Sequence, residues 1–144
     1  MSVQSCLDQV TLKKLVLIKQ LYQRAEIQSF SESNVDRIMA VTTFDLAIET
    51  ALKAVIRSLD HSKTPSDGFE SFLQQAENLL SKKSDGAMKE IPDRAHVKSV
   101  HSIRNDIQHE AQVPDKSVVS DCRTYTRDFF QKLILVLCNI NFAN

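Results

Sequence analysis

Apolar residues recur at intervals of three and four along almost the whole chain, which is the spacing of one face of an α-helix. The pattern predicts a first helix over about residues 6–28 and a second from a cap at Ser31 or Ser33 to Leu59. Ser33 with Asp36 three residues later resembles a capping box in which Asp replaces the usual Glu or Gln. The second helix is long and rich in apolar residues, so we expect it to be the central element of a bundle.

The same pattern continues in the second half of the chain between polar breaks. Residues 61–68 contain a proline and are typical of a loop, and a short third helix is predicted over 69–80. Pro92 suits the first turn of a fourth helix that extends from about Asp93 to Ala111, since its missing N–H would have no partner there.

A fifth helix is predicted after a break at Val113 and Pro114. Asp115 or Ser117 can cap it, and its apolar positions continue to residue 140. Because no strand-length alternation competes and the connections are short, we predict one all-α domain over residues 1–144, a four- to five-helix bundle with antiparallel, up-down neighbours. The same segment can also be part of a longer polypeptide.

The charge balance limits the kind of partner. The chain has 18 basic and 18 acidic residues and therefore no net charge. A protein that grips nucleic acid nonspecifically carries a basic excess, because phosphate neutralisation dominates such binding. Any contact with RNA is therefore local or strengthened by a partner.

The cysteines and the chain termini point to a reducing compartment. The chain has three cysteines, an odd number, and their spacing matches no zinc site. We therefore interpret Cys6, Cys122 and Cys138 as buried thiols. Residues 1–7 lack a signal-peptide pattern, and the apolar stretch 133–142 is too short to cross a bilayer. We expect a cytoplasmic protein without membrane contact.

The segment with the most distinctive chemistry is residues 101–110, HSIRNDIQHE. At about 100° per residue, His101, Asn105 and His109 form one polar stripe on the fourth helix. Arg104 lies about 140° round from His109, so the two do not share a face of a regular helix. They can converge at a frayed helix end or across a two-fold interface to which each copy supplies part of a site.

Arg104, Asn105 and His109, with four residues between the Arg and the His, resemble the signature of the HEPN superfamily. Glu49 and Lys53 resemble an acidic–basic pair that accompanies this motif in part of the superfamily. In helical architecture the resemblance covers nearly the whole chain, whereas the sequence motif covers only these few residues. It implies a HEPN-type bundle and a homodimer in which two copies of the motif face each other.

The resemblance also implies a metal-independent endoribonuclease that acts on RNA as a toxin or antiviral-defence effector, with an antitoxin or regulatory domain as a further partner. His109 would transfer protons at the ribose 2′-OH or the 5′-oxygen, and Arg104 would bind the scissile phosphate. Asn105 would orient His109 or bind the phosphate, and the product would be a 2′,3′-cyclic phosphate. We find no metal-ligand cluster in the sequence and expect no cofactor.

Simpler interpretations of the same residues stay open. Arg104 can pair with Asp106 or Glu110 while His109 favours the C-terminal helix dipole. Glu49 and Lys53 can be an ordinary i,i+4 pair contributing about 0.2–0.5 kcal/mol.

His101 is interpreted as a solvated or supporting residue. Ala111 stands where some HEPN toxins carry a tyrosine that a nucleotidyltransferase partner modifies, which argues against that form of control. The alternatives to a nuclease are a HEPN-like module that binds RNA, a nucleotide or a protein without cutting, and a dimerisation domain.

Overall fold

The computed structural model describes residues 9–138, which form five α-helices and no strand. The all-α prediction is therefore confirmed for this part of the chain. The predicted first turn of the first helix, Cys6 and the last residues of the fifth helix lie outside the described residues. The helices are α1 Gln9–Ser29, α2 Asn34–Leu59, α3 Phe69–Lys83, α4 Arg94–Glu110 and α5 Lys116–Cys138.

Helix α2 is the central element, as its apolar sequence predicts. It packs against all four other helices, and α5 also contacts α1 and α4. Its 26 residues make it the longest of the five. None of the helices in residues 9–138 combines the length and the apolar character that a bilayer span requires. The largest fully buried side chains include Phe44, Ile48, Leu52, Ile56, Leu73, Leu80, Phe129 and Leu133.

The predicted caps fix where α2 and α5 begin. The Asp36 N–H donates to Ser33 Oγ at 3.3 Å, so Ser33 is the cap of α2. The Asp36 carboxylate accepts instead from the Ser31 hydroxyl at 2.6 Å, so the capping box is shared by two serines. For α5, Asp115 Oδ1 accepts from the Val118 N–H at 2.9 Å.

Helix α4 begins later than predicted, and a buried glutamate holds its start. Asp93 is the N-cap with a left-handed φ of +55°, so Pro92 precedes the cap and its assignment to the first turn was wrong. Glu77 on α3, only 3% exposed, accepts from the Ile91 N–H at 3.0 Å and from Arg94 Nε at 3.0 Å. These contacts tie the segment before α4 to α3 and thereby orient α4.

Candidate functional site

The residues that sequence analysis assigned to the site lie on α2 and α4, and the structure brings only some of them together. Arg104 Nη1 donates to Asn105 Oδ1 at 3.2 Å. His109 is exposed in the last turn of α4 and makes no hydrogen bond or ion pair to Arg104 or Asn105 within residues 9–138. His109 is five positions after Arg104 in the helix, which is about 7.5 Å along the axis.

A buried carboxylate that sequence analysis did not single out lies at the centre of the site. Asp45 on α2 is 2% exposed, and its Oδ1 and Oδ2 lie 3.1 and 3.2 Å from Nδ1 of His101. Its Oδ2 also lies 3.7 Å from Nε of Arg104. Arg104 therefore does pair with an acid, as the simpler interpretation expects, but its partner is Asp45 across the helix interface and not Asp106 or Glu110 on its own helix.

Glu49 and Lys53 separate in the structure. Glu49, one turn after Asp45, places its Oε1 3.6 Å from His101 Nδ1. Lys53 instead lies over the ring of Phe72, with Nζ 5.1 Å from the centroid. Glu49 thus joins the site and Lys53 does not. We refer to Asp45, Glu49, His101, Arg104 and Asn105 as the Asp45 cluster.

The orientation of the His101 ring is fixed on two sides. Its face stacks on Phe69, the first residue of α3, with centroids 3.9 Å apart and planes within 8°. Its Nδ1 faces the carboxylates, which favours the tautomer that carries the proton on Nδ1. An imidazole held in this way by a carboxylate keeps Nε2 available to accept a proton, which is the arrangement that general acid–base chemistry uses.

The electrostatics of the cluster are dominated by burial. The pKa of Asp45 is raised from 3.8 to about 6; burial is the largest cause and the charge of Glu49 acts in the same direction, while His101 and Arg104 act in the opposite direction. The two basic groups therefore do not fully compensate the desolvation of this carboxylate. Ionisable groups perturbed in this way are concentrated at functional sites.

A groove of about 550 Å³ lies beside the cluster between α4 and the first turn of α3. A volume in this range suits a ligand of nucleotide size. Lys98 and Glu70 face each other at the groove, with Nζ and Oε1 3.0 Å apart and both side chains exposed. The residues that line it are Gly68, Phe69, Glu70, Ser71, Lys98, His101, Ser102 and Asn105. Of the predicted stripe, His101 and Asn105 reach this groove, and His109 does not.

Sequence reasoning missed Asp45 and the contact that His101 makes with it. The stripe that contains His101 and Asn105 was visible from helical spacing. Asp45 gave one weak signal, which is a carboxylate inside an apolar run between Phe44 and Ala47. Such a residue is almost never fully buried unless it is paired, but the sequence does not reveal the partner on another helix.

Fold and site together define an all-α bundle that carries a carboxylate–histidine–arginine cluster beside a groove. No protein-family model, curated protein or solved structure matches this chain.

Proposed function

We propose that this chain is a HEPN-type, metal-independent endoribonuclease that acts as a toxin or defence effector. The observation that supports the proposal is the Asp45 cluster, in which a buried carboxylate orients His101 beside Arg104 and Asn105 at a groove of nucleotide size. These are the groups that an attack of a ribose 2′-OH on the adjacent phosphate needs.

Each group of the cluster has a role in that reaction. His101 Nε2 accepts the proton of the 2′-OH, and the oxygen attacks phosphorus while the bond from phosphorus to the 5′-oxygen breaks. Arg104 and Asn105 donate hydrogen bonds to the non-bridging oxygens as negative charge builds there. The products are a 2′,3′-cyclic phosphate and a 5′-hydroxyl, and the 5′-oxygen takes up one proton.

His109 supplies that proton from a second copy of the chain. Along one helix His109 lies about 12 Å from His101, which is too far for both to serve one phosphate. A two-fold axis beside α4 would place the His109 of one copy near the Arg104 of the other, because the last turns of the two helices would then run past each other. The active form in this proposal is a homodimer with two composite sites.

A non-catalytic RNA- or nucleotide-binding module is the second candidate, and one observation favours it. Lys98 is paired with Glu70 and Arg104 with Asp45, so the basic groups at the groove are already partly neutralised. The net charge of the chain is zero. Such a module would bind RNA saturably and leave it intact.

The experiment that tests the proposal is incubation of the purified protein with a mixed RNA pool in the presence of EDTA, followed by mapping of the product ends. The variants are Arg104→Ala, His101→Ala and His109→Ala, and His61→Ala in the exposed loop after α2 is the matched control. We expect 2′,3′-cyclic phosphate ends with the parent and the control only. Intact RNA with the parent, or equal cleavage by every variant, would refute the nuclease proposal.

A further inference from the structure

Three side chains of the Asp45 cluster present metal-ligand atoms to one point. An oxygen of Asp45, an oxygen of Glu49 and a ring nitrogen of His101 all lie within 4.8 Å of one another. Asp45 and Glu49 are one turn apart on α2, and His101 faces them from α4. The sequence did not suggest this set, because His101 is 56 residues from Asp45 along the chain.

The two distances from the His101 nitrogen to the carboxylate oxygens are close to those in a tetrahedral zinc site. Zinc bonds to nitrogen and oxygen measure about 2.0–2.2 Å, so two ligands of a tetrahedral ion lie about 3.4 Å apart. His101 Nδ1 lies 3.1 Å from Asp45 Oδ1 and 3.6 Å from Glu49 Oε1. The partly exposed Glu49 can close the remaining edge by rotation of its own side chain.

We propose that Asp45, Glu49 and His101 form a binding site for a divalent transition-metal ion of the Zn²⁺ and Co²⁺ class. The imidazole ligand selects this class over Mg²⁺, which prefers an all-oxygen octahedral shell. Three protein ligands leave a fourth position for water. The stacking of His101 on Phe69 holds the ring in the orientation that the ion needs.

Arg104 opposes the ion and gives the proposal a distinctive signature. Its Nε lies 3.7 Å from Asp45 Oδ2, so its positive charge repels a cation placed between the carboxylates. Removal of the Arg104 charge therefore strengthens metal binding, whereas removal of a ligand weakens it. If the cluster only stabilised the fold, these two kinds of substitution would not change the metal affinity in opposite directions.

The metal site does not rest on the proposed nuclease function, since it can be measured without RNA. If the metal site and the nuclease function are both correct, the bound ion coordinates Nδ1 of His101 and the carboxylate that orients this ring. The ion therefore inhibits RNA cleavage. Metal binding and RNA cleavage can fail separately, because one is assayed with added ion and the other in EDTA.

The test is calorimetric titration of the full chain with Zn²⁺, together with the visible absorption spectrum of the Co²⁺ complex. Glu49→Gln and His101→Gln remove ligands, and Arg104→Gln removes the opposing charge. The matched control is Arg57→Gln, at an exposed position about two turns beyond Glu49 on α2. Circular dichroism confirms that each variant is folded. Of the two ligand variants, Glu49→Gln changes the more exposed side chain, which is 22% exposed against 19% for His101.

We expect one ion per chain and a tetrahedral Co²⁺ spectrum without a thiolate band. Affinity should fall by roughly tenfold or more in Glu49→Gln and His101→Gln, rise by roughly threefold to tenfold in Arg104→Gln, and stay unchanged in Arg57→Gln. The absence of binding, equal affinity in all variants, or a cobalt–thiolate band would overturn the proposal.

Discussion

Replacement of Asp45 by Asn tests whether the carboxylate of this residue serves function or stabilises the fold. The side chain is 2% exposed and contacts His101 and Arg104, so its removal would ordinarily be expected to destabilise the fold. Asn keeps the shape and an acceptor oxygen for His101 while it removes the charge. We predict that the variant is at least as stable as the parent at neutral pH and nevertheless loses activity.

The magnitude follows from the pKa of Asp45. Burial raises it from 3.8 to about 6, so the ionised carboxylate costs the folded state free energy whenever the pH exceeds 6. Two pKa units correspond to about 3 kcal/mol, which is the largest gain that Asp45→Asn can give in free energy of unfolding. The gain is complete above the folded pKa. It disappears as the pH falls below 3.8, where Asp45 is protonated in both the folded and the unfolded states.

The assay is urea unfolding of the parent and Asp45→Asn in EDTA, at about pH 7.5 and about pH 4. Asp121→Asn on the exposed side of α5 is the matched control, with no expected change at either pH. Asp45→Asn should gain about 1–3 kcal/mol at the higher pH and converge with the parent at the lower. RNA cleavage should fall by about a hundredfold or more, because His101 loses the carboxylate that fixes its tautomer and orientation.

A loss of more than about 1 kcal/mol at neutral pH would refute the reasoning. It would mean that the ionised Asp45 stabilises the bundle through His101 and Arg104. The cluster would then be a structural ion pair, and the perturbed pKa of Asp45 would no longer support a functional site.

Three further predictions test the fold around the site. Glu77→Ala should lower the free energy of unfolding by about 3 kcal/mol, because the Ile91 N–H and Arg94 lose a buried acceptor. Glu77→Gln should lower it by about half as much, and urea unfolding measures both variants. Phe44→Ala should cost about 3–5 kcal/mol in the same assay, since the ring is fully buried in α2, and a cost below 1 kcal/mol would contradict the packing. Burial raises the pKa of Cys122 to about 12, so a thiol reagent should label Cys122 only in unfolded protein. Mass spectrometry of the peptide that contains Cys122 measures the labelling, and labelling of Cys122 in the folded chain would contradict its burial.

The sequence predicted the helices well because each depends on local signals. The apolar spacing of α2 and the oxygens of Ser33 and Asp115 act within a few residues of one another, so the chain order contains the information. The start of α4 was predicted to within one residue, but Pro92 was wrongly assigned to its first turn, because the segment before α4 is held by Glu77 on a different helix.

The site was predictable only in part for the same reason. Arg104 and Asn105 are neighbours in the chain and were found together, and the stripe that contains His101 followed from helical spacing. The contact of Asp45 with His101 joins residues 56 positions apart, and no local pattern specifies it. Helical projection separated Arg104 from His109, which is why the proposed site draws on a second copy of the chain.

The central claim is that an RNA-cleaving site combines the Asp45 cluster of one copy with His109 of another. The most direct test is the cleavage rate of an equimolar mixture of Arg104→Ala and His109→Ala chains in EDTA, after the subunits have been allowed to exchange. Each mixed dimer would contain one intact composite site, so random mixing should restore about a quarter of the parent rate although each variant alone is inactive. The shared site would be contradicted if the parent cleaves RNA but the mixture is as inactive as each variant alone.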